Sequence, residues 1–170
     1  MHLARTGYAV IIVSDTSPLM NLAVVGHLQF LHQLYDTVII PEAVWNELSS
    51  LSSQHPEVAA VQTLSWLDRQ SVTSQAIVDA LQAELDIGEA EAIALAVEKQ
   101  ANLLLSDERR GRQVATRMGL TYIGLLGVLL EAKRKGFLPE VKPVLDDLLA
   151  KAGFWVSPQL YTRVLQAAGE

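Results

Sequence analysis

Short aliphatic runs, Tyr8-Ala-Val-Ile-Ile-Val13, Thr37-Val-Ile-Ile40 and Asn102-Leu-Leu-Leu-Ser106, alternate along the chain with segments of helical period, and this alternation constrains the fold more than any motif does. Strands so uniformly apolar are buried on both faces, which implies a mostly parallel sheet covered by helices on each side. Helices are expected over Pro18–Val25, capped by Thr16 or Ser17, then His27–Leu34, Glu42–Leu48 behind Pro41, Val58–Leu67, Gln75–Leu85, Gly88–Lys99 and Arg110–Met118. Ser49–Pro56 reads as a surface loop, and Ser71–Thr73 and Thr121–Ile123 as short strands. From Leu125 onward three helices are punctuated by Gly136-Phe-Leu-Pro139 and Gly153-Phe-Trp-Val-Ser-Pro158. At 170 residues, 50% hydrophobic and 19% charged, the chain is expected to form one domain.

Composition removes several chemistries. No cysteine is present, which excludes disulfides, thiolate metal sites and cysteine nucleophiles. The four histidines are scattered without ligand spacing, so a metal would be held by carboxylates and water, the donor set of Mg²⁺ or Mn²⁺. The apolar run after Arg5 is cut by Ser14-Asp15 before it reaches signal-peptide length, and no stretch is long enough to span a bilayer; a cytoplasmic protein is expected. A net charge of −6 argues against indiscriminate binding to nucleic acid, yet Arg109, Arg110, Arg112, Arg117, Lys133, Arg134 and Lys135, seven of the thirteen basic residues, follow closely on Asp107. A local positive surface beside an acidic site is compatible with both facts.

In a parallel sheet the site lies at the carboxyl ends of the strands. Asp15 and Asp107 end two of the apolar runs and should emerge at that edge. Glu89 heads the stripe Ala92, Ile93, Ala96 and points inward, whereas Glu91, roughly 200° around the helix, aligns with Glu98 on the solvent side. Glu47 shares a face with Ala43, Val44 and Leu48, while Glu42, in a first helical turn, is accounted for by the helix dipole. Singly, Asp15, Glu89 and Asp107 can each serve as a helix cap or dipole partner. Together, four acids facing one edge repel one another unless a cation lies among them.

Four segments carry a family resemblance: Val13-Ser-Asp15-Thr-Ser17-Pro, Pro41-Glu-Ala-Val-Trp-Asn-Glu47-Leu, Gly88-Glu89-Ala-Glu-Ala-Ile-Ala-Leu-Ala96 and Leu104-Leu-Ser-Asp107-Glu. In that order and spacing the chain resembles the PIN-domain nucleases, specifically the VapC-like group with a C-terminal helical extension, over Val10 to about Gly127. The resemblance implies a three-layer α/β/α sandwich, with a core over about 8–127 and an extension over about 128–170. It implies Mg²⁺- or Mn²⁺-dependent hydrolysis of RNA, with Asp15 as the central ligand, Asp107 and Glu89 completing the site, and Glu47 completing or orienting the shell. Many relatives carry aspartate where this chain has Glu89. Thr16 and Ser17 are candidates for holding a ligand or phosphate, and Arg109 and Arg112 for contacting the RNA backbone. The resemblance further suggests the toxin of a toxin–antitoxin pair, held by a small antitoxin; of the tail's apolar residues Leu129, Leu130, Val144, Leu145, Leu148, Leu149, Phe154 and Trp155, most are expected in the core and the rest at a homodimer or antitoxin surface.

Competing classes fare less well. A haloacid-dehalogenase-type phosphotransferase needs a second aspartate where Ser17 stands, and a dinucleotide-binding domain needs a glycine-rich turn where Ser14–Pro18 has none. A non-catalytic module that uses the same fold to bind RNA or protein is the remaining alternative.

Overall fold

A computed structural model describes residues 10–170. Tyr8 and Ala9 of the first apolar run, and Arg5 before them, lie outside the described residues. The chain order is β1 (Ile12–Ser14), α1 (Thr16–Val24), α2 (Gln29–Tyr35), β2 (Val38–Pro41), α3 (Glu42–Leu51), α4 (Pro56–Ala59), a 3₁₀ turn (Ala60–Thr63), β3 (Leu67–Gln70), α5 (Gln75–Leu81), α6 (Ile87–Glu98), β4 (Leu103–Leu105), α7 (Arg109–Arg117), β5 (Tyr122–Ile123), α8 (Leu125–Arg134), α9 (Lys142–Lys151) and α10 (Pro158–Ala167).

The five strands form one parallel sheet in the order β3-β2-β1-β4-β5. Side-chain alternation along the strands builds two cores, one on each face. Ile12, Val38, Ile40 and Leu105 point to one side, into a cluster with α1, α2, α3 and α8 to α10. Val13 and Leu104 point to the other and meet α5, α6 and α7. The result is the expected α/β/α sandwich. On the second face Ala90, Ala92, Ala94 and Ala96 are all buried, and their small side chains let α6 pack closely on β1, β2 and β4.

The C-terminal helices share the first core rather than sitting beside it. Leu125, Val128 and Leu129 of α8, Val144, Leu145 and Leu148 of α9, and Val164 of α10 are buried in the same cluster as Ile12, Leu19 and Leu22. Leu130, Leu149 and Phe154 pack at its margin, whereas Trp155 is 79% exposed. Truncating Leu145, which is fully buried, should therefore cost about 3 kcal/mol, the usual penalty for Leu→Ala in a filled core. Chemical denaturation of Leu145→Ala checks this, and a loss below about 1 kcal/mol would mean that the tail is only loosely attached.

Two expected elements differ. The segment 58–67 is not one helix: α4 gives way to the 3₁₀ turn, and Trp66 and Leu67 turn into the core to begin β3. The edge strand is accordingly Leu67–Gln70, not Ser71–Thr73, in register with Val38–Pro41. Its polar Asp68 and Arg69 are exposed because an edge strand buries little of itself, which hides the strand from a hydrophobicity pattern. Helix α3 also runs three residues past Leu48, into the expected loop.

Candidate active site

Strand order reverses between β1 and β4: β1 leads outward through β2 and β3 on one side, β4 through β5 on the other. The crevice at the carboxyl ends of such a pair is where open parallel sheets bind ligands. Ser14 is in register with Leu105, and the Asp15 amide donates to the Leu105 carbonyl at 3.0 Å. Asp15 and Asp107 thus leave adjacent strands at this reversal.

Asp15 is only 5% exposed. It is the N-cap of α1, and its Oδ1 accepts the Thr16 amide at 2.8 Å. That bond favours the charged form, but burial outweighs it, and the nearby Asp86, Glu47 and Glu108 add repulsion, so its pKa is pushed up to about 7. Glu89, in the first turn of α6, lines one narrow hollow with Asp15, Ala92, Ile93, Leu104, Ser106 and Gly111. Its pKa is also pushed up to about 7, first by burial, then by Asp86 and Asp15.

The other expected residues are placed as follows. Glu47 is exposed rather than inward-facing, because Thr16 draws its carboxylate to the site's rim: Thr16 Oγ1 donates to Glu47 Oε2. The same oxygen occupies the space above Gly88, where a Cβ would sit 2.9 Å from it. Beyond Glu47 opens a cleft of about 340 Å³ lined by Ala43, Asn46, Ser50 and Ile87 together with Glu42 and Glu91. Ser17 Oγ accepts from Asn21 Nδ2 at 3.3 Å within α1. The acids that push Asp15 up are Asp86, Glu47 and Glu108 rather than Asp107, whose Oδ1 accepts the Leu125 amide at 2.9 Å and faces Arg112 Nη2 at 3.4 Å. Burial raises its pKa against the opposing pull of that amide and of Arg112. Its Oδ2 is buried without a hydrogen-bond partner. Arg112 also donates from Nε to the Ser106 carbonyl at 3.0 Å and lies over Tyr122, whereas Arg109 is exposed at the start of α7.

Glu91 overturns an expectation. It is half-buried rather than on the solvent side, and its Oε1 accepts the Ala43 amide at 3.0 Å, capping α3 across the α3–α6 contact. Glu98 does the same for α5 through the Thr73 and Ser74 amides. Helix N-termini offer unpaired N–H groups, and long acids on a neighbouring helix reach them.

Two further acids stand at the site. Asp86 caps α6, accepting the Glu89 amide at 2.9 Å, and Glu108 follows Asp107; both repel Asp15 and Glu89. Asp86-Ile-Gly-Glu89 is a capping-box spacing, a signal that places Asp86 beside Glu89 from sequence.

A family model described as PIN domain (DUF3368) matches residues 11–170. The chain belongs to the PIN-domain family. PIN domains are generally nucleases and typically use divalent metal ions. Among solved structures, one similar chain is a PilT N-terminus domain protein from the hyperthermophilic archaeon Sulfolobus solfataricus P2, with 16% identity and a TM-score of 0.51. The match covers 72% of this chain and 93% of that one and bears on the fold alone. No curated protein matches the chain. Among the described residues no helix is long and apolar enough to cross a membrane.

The residues present fit a PIN-type divalent cation. Every candidate donor is a carboxylate oxygen, Asp15 is buried among acids, and Asp107 holds a buried oxygen with no partner, a costly state that an ion relieves. Among the described residues no group of three or more such side chains stands close enough together to hold an ion between them.

Proposed function

We propose that this PIN domain is a Mg²⁺- or Mn²⁺-dependent endoribonuclease, with Asp15, Glu89, Asp107 and Glu47 as the carboxylates that hold the ion. The observation that carries the reading is Asp15: a buried carboxylate at the sheet's reversal point, crowded by Asp86, Glu47 and Glu108, is a costly arrangement without a cation. When bound, the ion supplies activation of water and compensation of charge on the phosphate. Asp15 and Glu89 form the floor of the site, Thr16 keeps Glu47 at its rim, and exposed Arg109, two residues after Asp107, is the side chain assigned to the phosphate backbone. RNA as substrate, a cytoplasmic location and the toxin role with a small antitoxin follow the VapC-like resemblance.

The test is cleavage of a fluorescent single-stranded RNA at neutral pH with millimolar Mg²⁺ or Mn²⁺. Cleavage that stops with EDTA and with Asp15→Asn is expected. RNA that is bound but left intact under every metal would replace this reading with that of a non-catalytic module. Growth arrest on expression alone, relieved by coexpressing the neighbouring gene, is the expected result for the toxin role.

A further inference from the structure

Arg112 is an odd candidate for gripping substrate, because its guanidinium is already engaged. Nε donates to the Ser106 carbonyl at 3.0 Å, Nη2 faces Asp107 Oδ1 at 3.4 Å, and the group lies 5.3 Å from the centre of the Tyr122 ring. The backbone leaves room for it at Gly124: a Cβ there would stand 2.0 Å from Nη2 and 2.6 Å from Asp107 Oδ1. Gly124 has φ −102°, a value any residue adopts, so its lack of a side chain serves space rather than conformation. The next residue, Leu125, supplies the amide that holds the same Oδ1 at 2.9 Å. Two donors thus converge on one oxygen of Asp107, and the other oxygen, Oδ2, is buried with no partner.

We infer that Arg112 is a positioning residue: with the Leu125 amide it pins Asp107 by Oδ1 and so reserves Oδ2 for the cation. The inference rests on Asp107 being one of the cation-holding carboxylates. Carboxylates that hold ions are themselves held by neighbours, and removing such a neighbour weakens metal affinity by about 10- to 100-fold. The sign of the effect separates this role from simple charge. Arg112 is a positive group next to a site for a positive ion, so on Coulomb grounds alone its removal should tighten cation binding. Positioning demands the opposite. A planar fork is also needed to serve Ser106 and Asp107 at once, which the single ammonium of lysine does not reproduce.

The experiment is Mn²⁺ titration of the full chain, followed by electron paramagnetic resonance of free Mn²⁺, for wild type, Arg112→Met, Arg112→Lys and Gly124→Ala. Melting in EDTA establishes that each variant is folded, and a misfolded fraction lowers the number of sites rather than the affinity of those that remain. Expected are affinities weakened about tenfold or more in Arg112→Met, by less in Arg112→Lys, and by at least the methionine value in Gly124→Ala, which keeps the charge but whose Cβ crowds both the guanidinium and Asp107 Oδ1. Should Arg112→Met fail to fold, the other two variants carry the test. Unchanged or tighter Mn²⁺ binding in the folded Arg112 variants, or an unaffected Gly124→Ala, overturns the inference while leaving the metal-dependent reading intact. A wild type that binds no Mn²⁺ overturns both.

Discussion

Asp15→Asn is expected to reduce cleavage by at least about 100-fold while raising the melting temperature of the metal-free protein by about 5 °C. The loss follows from removing the innermost carboxylate, since a metal's stabilisation of transition-state charge is worth several kcal/mol. The gain follows from burial. Ionised Asp15 is disfavoured in the fold by the difference between its ordinary pKa of 3.8 and about 7, an upper bound of about 4 kcal/mol at alkaline pH by linkage. Relaxation of the site and water entry would leave about half of that, and each kcal/mol moves the midpoint of a chain this size by about 2–4 °C. Asparagine retains the oxygen that accepts the Thr16 amide, so the cap of α1 survives the change. Scanning calorimetry in EDTA at pH 8 checks the stability arm; a variant no more stable than wild type would mean that the acids around Asp15 do not strain the fold.

Asp15 was legible in the sequence because the aliphatic run one residue before it identified a central strand and so placed the acid at that strand's carboxyl end, where it also caps α1. The strand order was not legible: nothing local in Asn102–Ser106 says that β4 pairs with β1 on the side away from β2, and only that pairing makes the strand ends a crevice. Edge strand β3 escaped for a related reason, since Asp68 and Arg69 face solvent and leave no period to read. Helical-wheel geometry located Glu89 but misjudged Glu91, because the wheel describes one helix and the N-terminus of α3 beside it supplies the amide that Glu91 caps. Glu47 shows the same limit from the other direction. Its own helix face would bury it, and a hydroxyl on α1, Thr16, decides where its carboxylate goes. The partners of Asp107 lie five and eighteen residues away, at Arg112 and Leu125, and meet only once α7 and α8 are packed.

Between about pH 5 and pH 8 the metal-free protein should become less stable as pH rises, and millimolar Mn²⁺ should reverse that trend. Asp15 in the fold has a pKa of about 7, above the ordinary 3.8, so over the intervening range the folded state binds more protons than the unfolded chain. That contribution is full only below the ordinary pKa of 3.8, is already falling at pH 5, and is lost as pH climbs through about 7, at no more than about 1.4 kcal/mol per pH unit for one proton. Glu89, pushed up to about 7, and Asp107, raised by burial, act in the same direction. The acids whose pKa is lowered, Glu84, Glu98, Glu131, Asp146 and Glu170, act oppositely. Their contribution is complete once the unfolded chain is ionised near pH 5, so it does not mask the slope above it. A cation competes with those protons: it holds the acids ionised, and a concentration of about 100 times its dissociation constant adds about 2.7 kcal/mol, most of it available only above the proton's range. Melting curves at half-unit steps, in EDTA and in Mn²⁺, should thus diverge as pH rises. Asp15→Asn should show a shallower slope in EDTA and little response to Mn²⁺. A wild-type midpoint that rises or stays level from pH 5 to pH 8 in EDTA would remove the electrostatic case for a cation at Asp15, whatever activity the protein proves to have.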